Sequence, residues 1–186
     1  MNKISQAIAS VIYTFCLSAI IAVIFVAVAD AKPSIVNCEK LDKTDQIGHL
    51  ACNIYFEARD QSVKGQFLVA QVTVARARCE AYPDNIYDVV WQKKWVKKKR
   101  RYISQFSWTL DGKSDKVRER HAWNTALSIA SIVYRQLWDD TFEVDVGVPD
   151  KWLITHYHAD YVKPSWRKQM KFATKEGEHL FYHKEC

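Results

Sequence analysis

The chain has 186 residues, 48% of them hydrophobic and 26% charged, with 27 Lys+Arg against 21 Asp+Glu for a net charge of +6 at pH 7. That length gives one domain with a full core, and the basic balance favours acidic partners. No two of the five cysteines stand in C-x-x-C spacing, which argues against a cysteine zinc site.

Residues 7–29 carry no charge and are mostly apolar, a run long enough to cross a bilayer. Lys3 precedes it, and Ala29 and Ala31 follow as an A-x-A cleavage signal. Residues 1–31 are therefore expected to act as an export signal, either removed after Ala31 as a signal peptide or retained as a signal anchor, an N-terminal apolar helix. The expected location is periplasmic or extracellular, with membrane anchoring by residues 7–29 if the segment is retained. The acidic partner is then cell-wall polymer, lipopolysaccharide or anionic lipid, and no nucleic-acid partner is expected. Cys16 falls in the signal, so an oxidising compartment leaves Cys38, Cys52, Cys79 and Cys186 for one or two disulfides, with three pairings open if both form.

After a linker at residues 32–45, Thr44 or Asp45 is placed to cap a first helix running to about Arg59. Ile47, Leu50, Ala51, Ile54, Tyr55 and Ala58 recur at the spacing of one buried face. Glu57 lies about 20° beyond Leu50 on the helical wheel, at the edge of that stripe. The turn "DQSVKG" leads to "QFLVAQVTVARARC", apolar on nearly every face, as a central helix is. Pro83 and Asp84 open a short helical turn through "NIYDVVWQ".

From Lys93 to Tyr102 the sequence "KKWVKKKRRY" has seven Lys or Arg in ten positions. It reads as a solvated basic loop or, through Trp95 and Tyr102, as a contact with an anionic wall polymer or membrane surface. Ser114 can cap a long helix from about Asp115 to Trp138, with Ala122, Ala126, Ile129, Val133 and Leu137 on one stripe. Residues 143–161 alternate and contain Gly147 and Pro149, so a loop or short hairpin is expected there, before Pro164, Trp166 and the closing "EGEHLFYHKEC". Helices dominate this reading, a mainly α (α+β) class with a small extended element.

A glutamate at the edge of a core can serve as a general acid, since partial desolvation favours the neutral carboxyl. The same residue also reads as an ordinary helix-end glutamate paired with Arg59 or Lys64. Its company in chain order bears on that choice: "LACNIYFEARD", "GQFLVAQVTVARAR", "QFSWTLDG", "THYHADYVKPSW" and "EGEHLFYH". Together these blocks resemble the cell wall hydrolase family of the SleB type, over residues 48–183. The resemblance implies a mostly helical, lysozyme-like catalytic domain at residues 46–186. It implies lytic transglycosylase action on peptidoglycan between N-acetylmuramic acid and N-acetylglucosamine, with Glu57 as the catalytic acid. It makes Gln105, Ser107, Trp108, Tyr157, His158, Trp166, His179 and Tyr182 substrate-binding candidates in the cleft, and places Pro164 and Phe181 in the same blocks. Trp108, Tyr157, Trp166 and Tyr182 would stack on sugar faces or pack in the core.

A lytic transglycosylase needs one carboxyl group, whereas a hydrolytic muramidase uses two. Asp60, Asp111, Glu143, Asp145 and Asp160 are available as a second, but none has a comparable apolar setting. No cofactor is implied, and a monomer is expected. A competing reading takes His156 and His158, which share a face if extended, with His179 as a zinc site of an amidase or peptidase. Another treats the chain as a non-catalytic basic module binding wall or membrane. The sequence departs from the family pattern at Tyr87 and Leu110, which stand where cysteines often occur, in the basic stretch and in "DDTFEVDVGVPDKWLI".

Overall fold

The computed structural model describes residues 35–138 and 152–186. The export segment at residues 1–31, and Glu143 and Asp145, lie outside the described residues, as does the side chain of Leu137. Among the described residues no helix is long and apolar enough to cross a membrane.

Helix α1 spans Gln46–Ala58 and is capped by Asp45, whose side chain accepts from the Gly48 amide at 2.8 Å. A Cβ at position 48 would stand on that carboxylate, so glycine lets the cap close. The expected stripe is buried, from Leu50 and Ala51 through Ile54, Tyr55 and Ala58. Helix α2, Val63–Ala77, is capped by Ser62 on Gly65 and begins three residues before the apolar run because that cap precedes it.

The apolar character of α2 on nearly every face has a direct cause: the helix is covered on two sides. Ala70, Val74 and Ala77 join the helical core with Leu50 and Ile54 of α1. Leu68, Val69 and Val72 meet Ala58, Ile154 and Phe181 in a second core against the sheet. The short helix α3, Ile86–Val90, is fixed by Asn85 as cap and by the Gln46 side-chain oxygen, which accepts from the Ile86 and Tyr87 amides.

Two segments differ from the sequence reading. The basic stretch is not a loop but a hairpin, β1 Lys93–Val96 and β2 Arg101–Ser104, pairing Trp95 directly with Tyr102. Its chain reversal uses a 3-10 turn at Lys97–Lys99 and Arg100 at φ 47°. The long helix α4 runs Arg120–Trp138, starting later than Asp115. Residues 115–119 are taken by other partners: Cys38 and Val117 exchange backbone bonds with Asp115 and Val36, and the Tyr55 hydroxyl accepts from the Arg118 and Glu119 amides. Ala126, Ile129 and Val133 of the expected stripe are buried, with Ala122 packed against them.

The C-terminal part holds more extended structure than the expected hairpin. Strands β3 Trp152–Ala159, β4 Lys171–Glu176 and β5 His179–Glu185 form an antiparallel sheet in the order β3-β5-β4. The fold is therefore a mixed helix-and-sheet domain. The β4–β5 turn at Gly177, φ 55°, sits on the α1–α2 connection, where Gln61 accepts from the Glu178 amide and Ser62 donates to Glu176.

The cysteines pair as Cys38–Cys52 and Cys79–Cys186. The second closes a separation of 107 residues and ties the end of α2 to the end of β5, while the first closes only 14. Loop-closure entropy grows with length, so Cys79→Ala/Cys186→Ala is expected to cost on the order of 4 kcal/mol and Cys38→Ala/Cys52→Ala about 3 kcal/mol. Urea denaturation of the two double variants reads this difference, and the reverse order would contradict it.

Candidate active site

Glu57 occupies the last turn of α1 and is partly buried, as its place at the edge of the apolar stripe requires. Its Oε2 accepts a hydrogen bond of 2.8 Å from the Tyr157 hydroxyl on β3. Burial raises the Glu57 pKa above the ordinary carboxylate value. That Tyr157 bond, the Arg76 charge and the Ser107 backbone amide all act the other way, and among the described residues no second carboxylate acts on it. The Tyr157 phenol is pushed far above its usual range, by burial first and then by the Glu57 charge, so it stays a donor.

Arg76 is the component that sequence reasoning missed. It lies in the last turn of α2, 5% exposed, with its Nε donating to the Thr155 carbonyl at 2.8 Å. Its guanidinium sits over the rings of Phe106 at 5.1 Å and Tyr82 at 5.6 Å, and its Nη1 has no hydrogen-bond partner among the described residues. A buried guanidinium so sparsely paired acts as a fixed positive charge behind the Glu57–Tyr157 pair. The available signal was an arginine inside an otherwise apolar helical run, "VTVARARC".

Arg59 points elsewhere: it pairs with Glu119 at 3.0 Å and lies over the Tyr55 ring, while Lys64 pairs with Glu176. Neither cation neutralises Glu57. Of the other carboxylates, Asp160 pairs with Lys175 at 2.8 Å and Asp111 holds the Lys113 amide.

The remaining candidates separate into groups. Ser107 brings its backbone amide to Glu57 with its side chain exposed, and Gln105 is exposed just before it. His179 stands on the Glu57 side, its ring 5.2 Å from that of Tyr157, and its Nδ1 has no partner among the described residues. Trp108 is core rather than cleft: its ring stacks on Phe56 at 4.7 Å and its indole N–H donates to Asn53, which in turn donates to Thr73.

His158, Trp166 and Tyr182 are not brought to Glu57. Alternation along β3 puts His156 and His158 on the face opposite Tyr157. There His158 bonds the Tyr182 hydroxyl at 3.0 Å, and Trp166 packs edge-on to both rings. His156 is held between Tyr82 and Thr155, with its pKa lowered to about 4 by burial and by the Arg76 and Lys184 charges. The three-histidine arrangement is thus split across the sheet, with His179 on the other face, and no metal-holding cluster is formed among the described residues.

Tyr87 and Leu110, the positions that depart from the family pattern, line one groove of about 560 Å³ at the base of the β1–β2 hairpin.

Comparison with known proteins adds the following. The profile of the family described as Cell Wall Hydrolase matches residues 60–182, beginning just past Glu57. Among solved structures, the catalytic domain of the germination-specific lytic transglycosylase SleB from Bacillus anthracis matches with a TM-score of 0.51 and 18% identity. That match covers 77% of this chain and 98% of the other. The catalytic domain of the Bacillus cereus SleB protein matches with a TM-score of 0.49 and 18% identity, over 74% and 88% of the two chains. At such identity the first likeness establishes the fold. No curated protein matches the chain.

Proposed function

Since the chain belongs to the cell wall hydrolase family, we propose that it cleaves peptidoglycan glycan strands between N-acetylmuramic acid and N-acetylglucosamine, as a lytic transglycosylase with Glu57 as its general acid and base. The observation that carries this reading is a carboxyl whose burial favours its protonated form, oriented by Tyr157, with no second carboxylate acting on it among the described residues. The lytic transglycosylase activity named for the Bacillus anthracis relative supports the same reaction class.

In this mechanism neutral Glu57 gives its proton to the glycosidic oxygen as the bond to the muramic acid carbon breaks. The resulting carboxylate is met by the Tyr157 hydroxyl, the Ser107 amide and the Arg76 charge, all of which favour the ionised form. It then takes the proton of the sugar's own 6-hydroxyl as that oxygen closes a 1,6-anhydro ring, which restores the acid. Burial favours the acid that the first step needs, and the three partners favour the carboxylate that the second needs. Ser107 and His179 border the pair, Gln105 is exposed two residues before Ser107, and these are the side chains assigned to acetamido and hydroxyl groups. The catalytic domain comprises residues 46–186, delivered outside the cytoplasm by residues 1–31, where the two disulfides can form.

Mass spectrometry of digested peptidoglycan tests the reaction. Anhydro-muramic ends are expected. Reducing muramic ends would replace the transglycosylase with a hydrolase, and free stem peptides would overturn glycan cleavage altogether.

A further inference from the structure

The groove at the base of the hairpin lies outside the Glu57 site and has its own chemistry. Tyr87 and Trp91 supply ring surface to its lining, Asp88, Gln92, Lys93 and Thr109 supply polar groups, and Leu110 lies among them. The Gln92 side-chain oxygen is buried without a hydrogen-bond partner among the described residues, an acceptor that a ligand N–H or O–H would satisfy. A cavity of about 560 Å³ that combines aromatic rings with polar side chains is of the size that takes a small ligand or a sugar unit.

Above it stands the hairpin. Seven Lys or Arg fall between Lys93 and Arg101, and no acidic residue occurs from there to Asp111 or back to Asp88. None of the seven forms an ion pair with a described residue. Trp95 and Tyr102 make an exposed edge-to-face pair, 48% and 53% exposed, with Lys93 over the Tyr102 ring. Such a density of like charge is unfavourable to the isolated protein and favours a polyanion at its surface.

The groove and the acid are joined by one element. Ser107, at one end of the 3-10 turn Ser107–Leu110, faces Glu57, and Thr109 and Leu110, at the other, line the groove. That turn advances about 6 Å, roughly the length of one sugar unit. The same short turn therefore borders both the acid and the groove.

We propose that the groove and hairpin form an accessory site for an anionic glycan: the peptidoglycan strand beyond its cleavage point, with an N-acetylated sugar in the groove and stem-peptide carboxylates on the hairpin cations. This rests on the function proposed above and adds a subsite to it. The site holds the enzyme on insoluble, cross-linked substrate while contributing little to short soluble fragments.

Co-sedimentation with purified sacculi, using the full chain carrying Glu57→Gln so that the ligand persists, measures the binding. Lys97→Glu/Lys98→Glu/Lys99→Glu, at exposed positions, is expected to bind about tenfold more weakly and to lose most of the salt dependence, because exposed charge contacts are individually weak and screened. Gln92→Ala is expected to weaken binding of neutral N-acetylglucosamine oligomers severalfold without altering the salt dependence. In the otherwise unchanged chain, the triple variant should cleave short soluble glycan fragments at the parental rate. Unchanged melting temperatures confirm that the variants are folded. Parental binding of sacculi by the triple variant, or of the oligomers by Gln92→Ala, overturns the proposal. So does a triple variant that loses adhesion to anionic phospholipid vesicles while still binding sacculi, which would assign the hairpin to a membrane surface. Failure of the Glu57 assignment is visible separately, as muropeptides released into the supernatant by the Glu57→Gln chain.

Discussion

Glu57→Gln is expected to release muropeptides from peptidoglycan at least about a thousandfold more slowly than the parent, because the proposed proton donor is lost. The amide is nearly the same size and still accepts from the Tyr157 hydroxyl, so the geometry should survive. Stability is expected to move the opposite way to activity. The folded pKa of Glu57 lies above its ordinary 4.5, with burial as the main cause. Its contribution is therefore fully present below pH 4.5 and is lost as pH rises through the folded value. Glutamine does not titrate, so the variant should melt at the parental temperature or above it at neutral pH, the gap widening from acid to neutral. Chromatography of released muropeptides, paired with melting curves at several pH values, reads both effects. Parental turnover by the variant would end the assignment, whereas lost activity with a collapsed melting curve would mean that Glu57 holds the fold together.

Arg76→Met carries the second large expected effect, and it concerns pH. The guanidinium favours ionised Glu57, so its removal should raise the pKa of the acid further. The alkaline limb of the rate profile, where the acid loses its proton, is then expected to shift to higher pH. The maximal rate should fall about tenfold, since the carboxylate that must accept the second proton is less well stabilised. Stability should change by no more than about 1–3 kcal/mol, from the Thr155 carbonyl losing a charged donor. Burial of the guanidinium is relieved in the same substitution, which offsets part of that loss. Arg76→Lys keeps the charge without the planar fork, so it should restore the profile before it restores stability. A merely structural Arg76 would leave the profile of the Met variant where the parent has it.

Periodicity placed Glu57 at the edge of the buried stripe, where the structure has it, but it left an ordinary helix-end ion pair open, and only the ordered blocks of the family resemblance pointed to an acid. The two-sided packing of α2 was legible, since no surface helix could carry Leu68, Val69, Val72 and Val74 together. Other features depend on partners distant in the chain. The hairpin at 93–104 was masked by its lysines, because only the Trp95–Tyr102 pair marks the register and that pair is seen once both strands are placed. The start of α4 is set by Val36, Asn37 and the Tyr55 hydroxyl, none of which is near residue 115 in sequence. The aromatic blocks near the C-terminus were recognisable, but not the face each ring takes. With period two and a register shift between Ile154 and His156, Tyr157 goes to the acid while His158 and Tyr182 go to the far side.

The hydrogen bond between Tyr157 and Glu57 joins two bodies of the fold, the helix that carries the acid and the sheet that carries its orienting hydroxyl. Neither half holds a competent proton donor alone. A chain whose helices have formed before its sheet docks, or whose sheet has been loosened by reduction of the Cys79–Cys186 bridge, lacks the contact that aims the carboxyl. On the function proposed above, activity is expected to require helix and sheet to be docked, because only then is the carboxyl held by the Tyr157 hydroxyl.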